Sequence, residues 1–186
     1  MQKQWRVPNK FPALHHGQLH VWSGLYNEAD QLDGRTLSPD EQVRSQRFRF
    51  AHDRGMFLFS HGLLRSLLAG STGLLREEIE YGYTKYGKPY LHQGAGADRI
   101  EFNLSHSGDV VMIGVARNFL VGVDVEKIKP LADMDQIAAR FFSAFEQSDL
   151  GTLSGAARTA AFYHCWTRKE AVIKASGEGL SMPLDT

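Results

Sequence analysis

Val121-Gly-Val-Asp-Val-Glu-Lys-Ile128 alternates, and its alternation organises the rest of the chain. Side chains on an extended strand point to opposite faces in turn, so Val121, Val123 and Val125 share one face while Gly122, Asp124 and Glu126 share the other. One face is core; the other carries two carboxylates. Two ionised carboxylates about 4 Å apart repel by roughly 4 kcal/mol at an effective dielectric near 20, so the pair calls for a cation or a shared proton. Mg²⁺ takes one or two protein carboxylates and completes its shell with water and substrate phosphate oxygens, which points the strand toward phosphate chemistry. The other reading is an edge strand whose acidic face is simply solvated.

Upstream, Val110-Val-Met-Ile-Gly-Val-Ala116 and Phe119-Leu-Val-Gly-Val-Asp-Val125 flank Arg117-Asn118. Asn tolerates the positive φ of a tight turn, so the acidic strand is expected as the second arm of an antiparallel hairpin. Just before the first arm, Phe102-Asn-Leu-Ser-His-Ser-Gly108 reads as a short strand start running into a turn. Its backbone N–H groups, Ser105 and His106 either face an anion or close a hydrogen-bonded turn. Downstream, residues 160–177 are strongly helical and stop at Gly177. Phe162, Trp166, Glu170 and Lys174 follow one another at i, i+4 and share a face. Glu170 and Lys174 are either a surface pair or, if that face meets the acidic strand, a third carboxylate for the metal and a phosphate contact.

The first half is less specific. Leu19–Ser23 alternates weakly and suggests a strand, followed by Gly24 and a polar loop to Thr36. Adjacent His15 and His16 diverge and read as surface loop. Ser38-Pro-Asp-Glu41 starts a helix, with Ser38 as cap, Pro39 at the first position and Glu41 completing a capping box. From Arg35 to Arg65 there is one local basic excess, with Arg44, Arg47, Arg49 and Arg54 between them. Either it faces phosphate or it is solvated. The apolar pattern predicts a helix broken near Asp53 and ending at Gly70. Ile79–Thr84 reads as a strand, Tyr86-Gly-Lys-Pro-Tyr90 as a turn with an exposed Lys88, and 132–142 and 143–153 as two short helices.

Composition narrows the class. The 186 residues suffice for one domain or two small lobes. Lys plus Arg number 21 against 21 Asp plus Glu, so overall charge favours neither nucleic acid nor a membrane surface. A single cysteine, Cys165, rules out an intramolecular disulfide and suggests a reducing compartment. No apolar run approaches a membrane span and the polar start is no secretory signal, so a cytoplasmic protein is expected.

Tyr86-Gly-Lys-Pro89, Phe102-Asn-Leu-Ser-His-Ser107, Gly122-Val-Asp-Val-Glu-Lys127 and Trp166-Thr-Arg-Lys-Glu-Ala-Val-Ile-Lys174, in this order and spacing, resemble the signature motifs of the Sfp-type 4′-phosphopantetheinyl transferases. The resemblance runs from about Ser38 to Leu180. It implies an α+β fold of two pseudo-symmetric lobes, each a small antiparallel sheet packed with helices. Residues 1–118 would form the coenzyme A side and 119–186 the metal side. The implied activity is transfer of the phosphopantetheine arm of coenzyme A to a serine of an apo acyl- or peptidyl-carrier protein, with Mg²⁺, by a monomer. By motif, Asp124, Glu126 and Glu170 are implied as the Mg²⁺ site, with Glu170 also a candidate base. Lys174 and His106 are implied on the pyrophosphate, Ser105 and Arg44 on the 3′-phosphate, and Lys88 at the adenine end.

Two departures stand out. Where relatives commonly carry Asp-Arg-x-Arg, this chain has Asp53-Arg-Gly-Met56, so a usual 3′-phosphate arginine is Met56 and Arg54, Arg47 or Arg49 are the candidate substitutes. The chain also ends at Thr186, soon after the last motif, which suggests a fragment or a trimmed sequence. Two other functions use the same residues: a Mg²⁺-dependent phosphohydrolase of coenzyme A-like nucleotides, and a non-catalytic module that binds coenzyme A or a carrier protein.

Overall fold

A computed structural model describes residues 11–27, 37–91, 99–179, 182 and 184–185; Arg35 and Leu180 fall outside them. Strand β1 (Leu19–Leu25) leads to helices α1 (Pro39–Ser45) and α2 (Ala51–Thr72), a short 3₁₀ turn, and the β2 (Tyr81–Tyr83) and β3 (Pro89–Leu91) pair. Strands β4 (Ile100–Ser107) and β5 (Val110–Arg117) follow, then α3 (Met134–Phe141), α4 (Ala144–Gly151) and α5 (Gly155–Ser176). The arrangement is α+β, with a three-stranded antiparallel sheet in the order β1-β5-β4 and a two-stranded β2-β3 ribbon. No ladder strand follows Arg117 among the described residues.

Local signals set several boundaries. The Ser38 hydroxyl accepts from Glu41 N at 3.3 Å and Glu41 returns to Ser38 N at 2.9 Å, the capping box read from sequence. The helix break lies at residues 46–50 rather than near Asp53, and α2 continues through Gly70 to Thr72. Gly73, at φ 80°, ends it. At Gly70, inside the helix, the missing side chain makes room for the Phe11 ring, which a Cβ there would meet at 2.3 Å. Gly177, at φ 74°, ends α5 as expected.

The two faces of the sheet do different work. Val111, Ile113 and Val115 of β5, with Ile100 and Phe102 of β4, pack against Leu63, Leu64, Leu67 and Leu68 of α2 to form the main core. The opposite face receives Val121 and Val123, which lie over Ala116 and Gly114. A second core, Phe142, Leu150, Phe162 and Tyr163, joins α3, α4 and α5.

The hairpin expected at Arg117-Asn118 does not form. Asn118 does take a positive φ of 67°, but β5 is already paired on both edges, to β1 and to β4. With no free ladder edge, residues 121–127 leave the sheet plane and run across its face. The hairpin turn is instead Gly108-Asp109, which joins β4 to β5.

Candidate functional site

The acidic segment is held by side chains in place of a backbone ladder. Asn103 Oδ1, Ser105 Oγ and Ser107 Oγ, alternate residues on one face of β4, accept from the backbone N–H of Val123, Val125 and Lys127 at 2.8, 3.3 and 3.0 Å. Matching two-residue steps show that the segment is extended, so the alternation read from sequence survives without the strand. Each serine also donates: Ser105 Oγ to Asp124 Oδ1 at 2.9 Å, and Ser107 Oγ to Glu126 Oε2 at 2.8 Å. Strand β4 therefore orients both carboxylates.

Helix α5 closes the segment from the other side. A Cβ on Gly122 would stand 1.9 Å from Ala171 O and 2.4 Å from Ala175 N, so only glycine permits this approach to the helix backbone. That contact brings Lys174 Nζ onto Asp124 Oδ1 at 2.5 Å and onto Ser105 Oγ at 3.0 Å. The Ser105 hydroxyl thus accepts twice and donates once, which uses its full capacity. Ser105 thereby braces Asp124 and Lys174. Glu170 lies near enough to feel both acids. Burial first, then the charges of Asp124 and Glu126, hold its carboxyl above the usual range against the opposing pull of Lys174.

Lys88 is buried, contrary to the exposed turn residue expected. Its Nζ donates to Val121 O at 3.2 Å and Ala175 O at 2.7 Å, with Glu101 Oε2 at 3.8 Å. Burial lowers its pKa. The side chain points inward, where its ammonium donates to carbonyls and ties the acidic segment to the last turn of α5.

Beside this cluster opens a cleft of about 690 Å³, bounded by α1, α2, the end of β4 and Lys174. Arg44, Met56, His61, Ser105 and His106 line it. Arg54 is exposed and does not reach it, so that candidate is not brought to the site. Arg44 lies over the Phe57 ring, 5.3 Å from its centroid. His106 is held below the ordinary imidazole value by burial, then by the nearby His61 and Lys174 charges. At the mouth, His52 Nε2 pairs with Asp109 Oδ1 at 2.7 Å.

Behind the cleft is a network that the sequence reading missed. Arg65, 1% exposed, donates Nε to Glu41 Oε2 at 2.6 Å and Nη1 to Arg76 O and Ile79 O at 2.7 and 3.0 Å. His61 Nδ1 meets Glu41 Oε1 at 2.8 Å, and its ring stacks on Phe57 at 4.0 Å. Burial pushes the Glu41 carboxyl up, but bonds from His61, Ser38 N and Arg65 outweigh it and hold it at about 2. The only available signal was the capping box itself, because i, i+20 and i, i+24 contacts leave no periodic trace.

The donor chemistry suits a hard divalent cation. Asp124 Oδ2 is buried without a hydrogen-bond partner, and three carboxylates lie within one another's field. The three are not drawn to ligand distance: no group of three acidic, His or Cys side chains among the described residues is close enough to hold a metal. Lys174 instead neutralises Asp124, and Ser107 holds Glu126.

Comparison with known proteins identifies the family. Residues 120–186 match the profile described as the 4′-phosphopantetheinyl transferase superfamily, and residues 20–118 match that of the 4′-phosphopantetheinyl transferase, N-terminal, family. The chain is 33% identical to the 4′-phosphopantetheinyl transferase HetI of a Nostoc species, over 97% of this chain and 78% of that protein. It is 37% identical to the 4′-phosphopantetheinyl transferase Sfp of Bacillus subtilis over 81% of this chain, and 30% identical to gsp of Aneurinibacillus migulanus over the same share. These matches span 64% and 60% of those two relatives.

Proposed function

Because the chain belongs to the 4′-phosphopantetheinyl transferase superfamily, we propose that it moves the 4′-phosphopantetheine arm of coenzyme A onto a serine of an apo acyl- or peptidyl-carrier protein, releasing 3′,5′-ADP. The observation that carries the reading is the meeting of Asp124, Lys174 and Ser105 at one end of a cleft that also holds Arg44 and His106. A coenzyme with a diphosphate and a separate phosphomonoester needs cationic groups at two points, and the cleft supplies them.

Asp124, Glu126 and Glu170 are the residues that would hold Mg²⁺, which when bound supplies charge neutralisation on the diphosphate. Lys174 gives the leaving phosphate a fixed ammonium, oriented by Ser105, and His106 adds a donor from the β4 side. Glu170, on a rigid helix beside Asp124, accepts the proton of the attacking serine hydroxyl. Little covalent work falls to the protein, so rate comes from positioning and charge. Among the described residues no helix is long and apolar enough to cross a membrane; with the lone cysteine this supports a cytoplasmic enzyme, which we take to act as a monomer.

Incubation with coenzyme A, Mg²⁺ and apo carrier proteins of the fatty-acid, polyketide and peptide-synthetase types, read by intact mass, tests the proposal. A gain of one phosphopantetheine on a carrier is expected. Release of phosphopantetheine without any protein acceptor, or binding without modification, overturns it.

A further inference from the structure

The cleft has two cationic poles, and only one is explained by the reacting diphosphate. Lys174, with His106 lining the cleft near it, forms the pole beside Asp124. Arg44 and His61 form the other, both resting on the Phe57 ring. His61 is set with unusual definition for a cleft residue. Its Nδ1 faces a carboxylate, which only accepts, so Nδ1 carries the proton and the ring orientation is fixed. Its side chain is 20% exposed, it lines the cleft, and among the described residues Nε2 has no hydrogen-bond partner. In the charged ring Nε2–H is a donor. Glu41 is paired with Arg65 as well, so the Arg44 guanidinium is what gives this corner positive character. His106 lines the same cleft as both poles.

Resting on the transferase reading, we propose that His61 binds the 3′-phosphomonoester of coenzyme A through Nε2, together with Arg44, and so sets specificity for the phosphorylated coenzyme. Met56, where relatives commonly carry an arginine, lines the same cleft and offers no charge; His61, five residues further along α2, lines it too and presents Nε2 there.

The test is His61→Asn, whose amide keeps a donor for Glu41 Oε1 while removing the cleft-facing nitrogen. Transfer is measured with coenzyme A and with 3′-dephospho-coenzyme A. The wild type favours coenzyme A; the variant loses about 10 to 100-fold in kcat/KM for coenzyme A, the scale of one hydrogen bond to a charged group, and little for the dephospho form. Calorimetric binding of 3′,5′-ADP against 5′-AMP gives the same ratio without any transfer step. A variant that keeps the wild-type ratio overturns the inference, as does a wild type that does not discriminate. A wild type that transfers from neither coenzyme overturns the transferase reading instead.

Discussion

Glu41→Gln removes the one carboxylate that joins the capping box, the buried Arg65 and His61. Its folded-state value of about 2, against 4.5 ordinarily, corresponds to about 3 kcal/mol of stability at roughly 1.4 kcal/mol per pH unit. A depressed carboxyl value contributes that stability above the unfolded value and loses it as pH falls through the folded one, so the window runs from pH 4.5 down to about 2. Urea unfolding of both proteins at several pH values is the assay. At pH 7 the variant is expected to be less stable by about 3 kcal/mol. At pH 3 the gap is smaller by about 2 kcal/mol, because the wild type then takes up the proton on unfolding and the glutamine cannot. Other carboxylates titrate in both proteins and cancel in the difference. A gap that stays level between pH 7 and pH 3 would falsify the ionised, hydrogen-bonded Glu41.

Gly122→Ala forces a methyl against the α5 backbone and shifts the acidic segment, so kcat/KM should fall by about 10²-fold while far-ultraviolet circular dichroism stays unchanged. Lys88→Met leaves Val121 O and Ala175 O without their donor and should cost about 1–3 kcal/mol in a denaturant titration. Asp124→Asn should reduce transfer at least ~10²-fold in the mass-spectrometric assay, and wild-type activity that persists under chelation removes the metal from the reading. Glu170→Gln should lower kcat with Mg²⁺ affinity measured separately; near-normal turnover with metal still bound would rule out Glu170 as base.

What the sequence made legible follows the range of the interactions. The capping box at Ser38, the αL stop at Gly177 and the positive φ of Asn118 are set by a few adjacent residues, and each is where the residues put it. The alternation of 121–127 gave the right faces but the wrong pairing, because period two reports an extended backbone and not which groups satisfy its N–H bonds. Here β4 side chains do so. Lys88 was misread because a Gly-Lys-Pro turn says nothing of the carbonyls waiting beneath it. His61 and Arg65 were invisible because their partner Glu41 lies twenty and more residues away and already had a local role.

The tight seat of Gly122 has a practical bearing on redesign. One wall of the cleft is locked, since the acidic segment, α5 and β4 share atoms at contact distance and none can be displaced alone. The α1–α2 wall carries the exposed Arg44 side chain, which rests on Phe57 with no such backbone lock. Attempts to broaden the range of coenzyme analogues should therefore vary that wall and leave the other untouched.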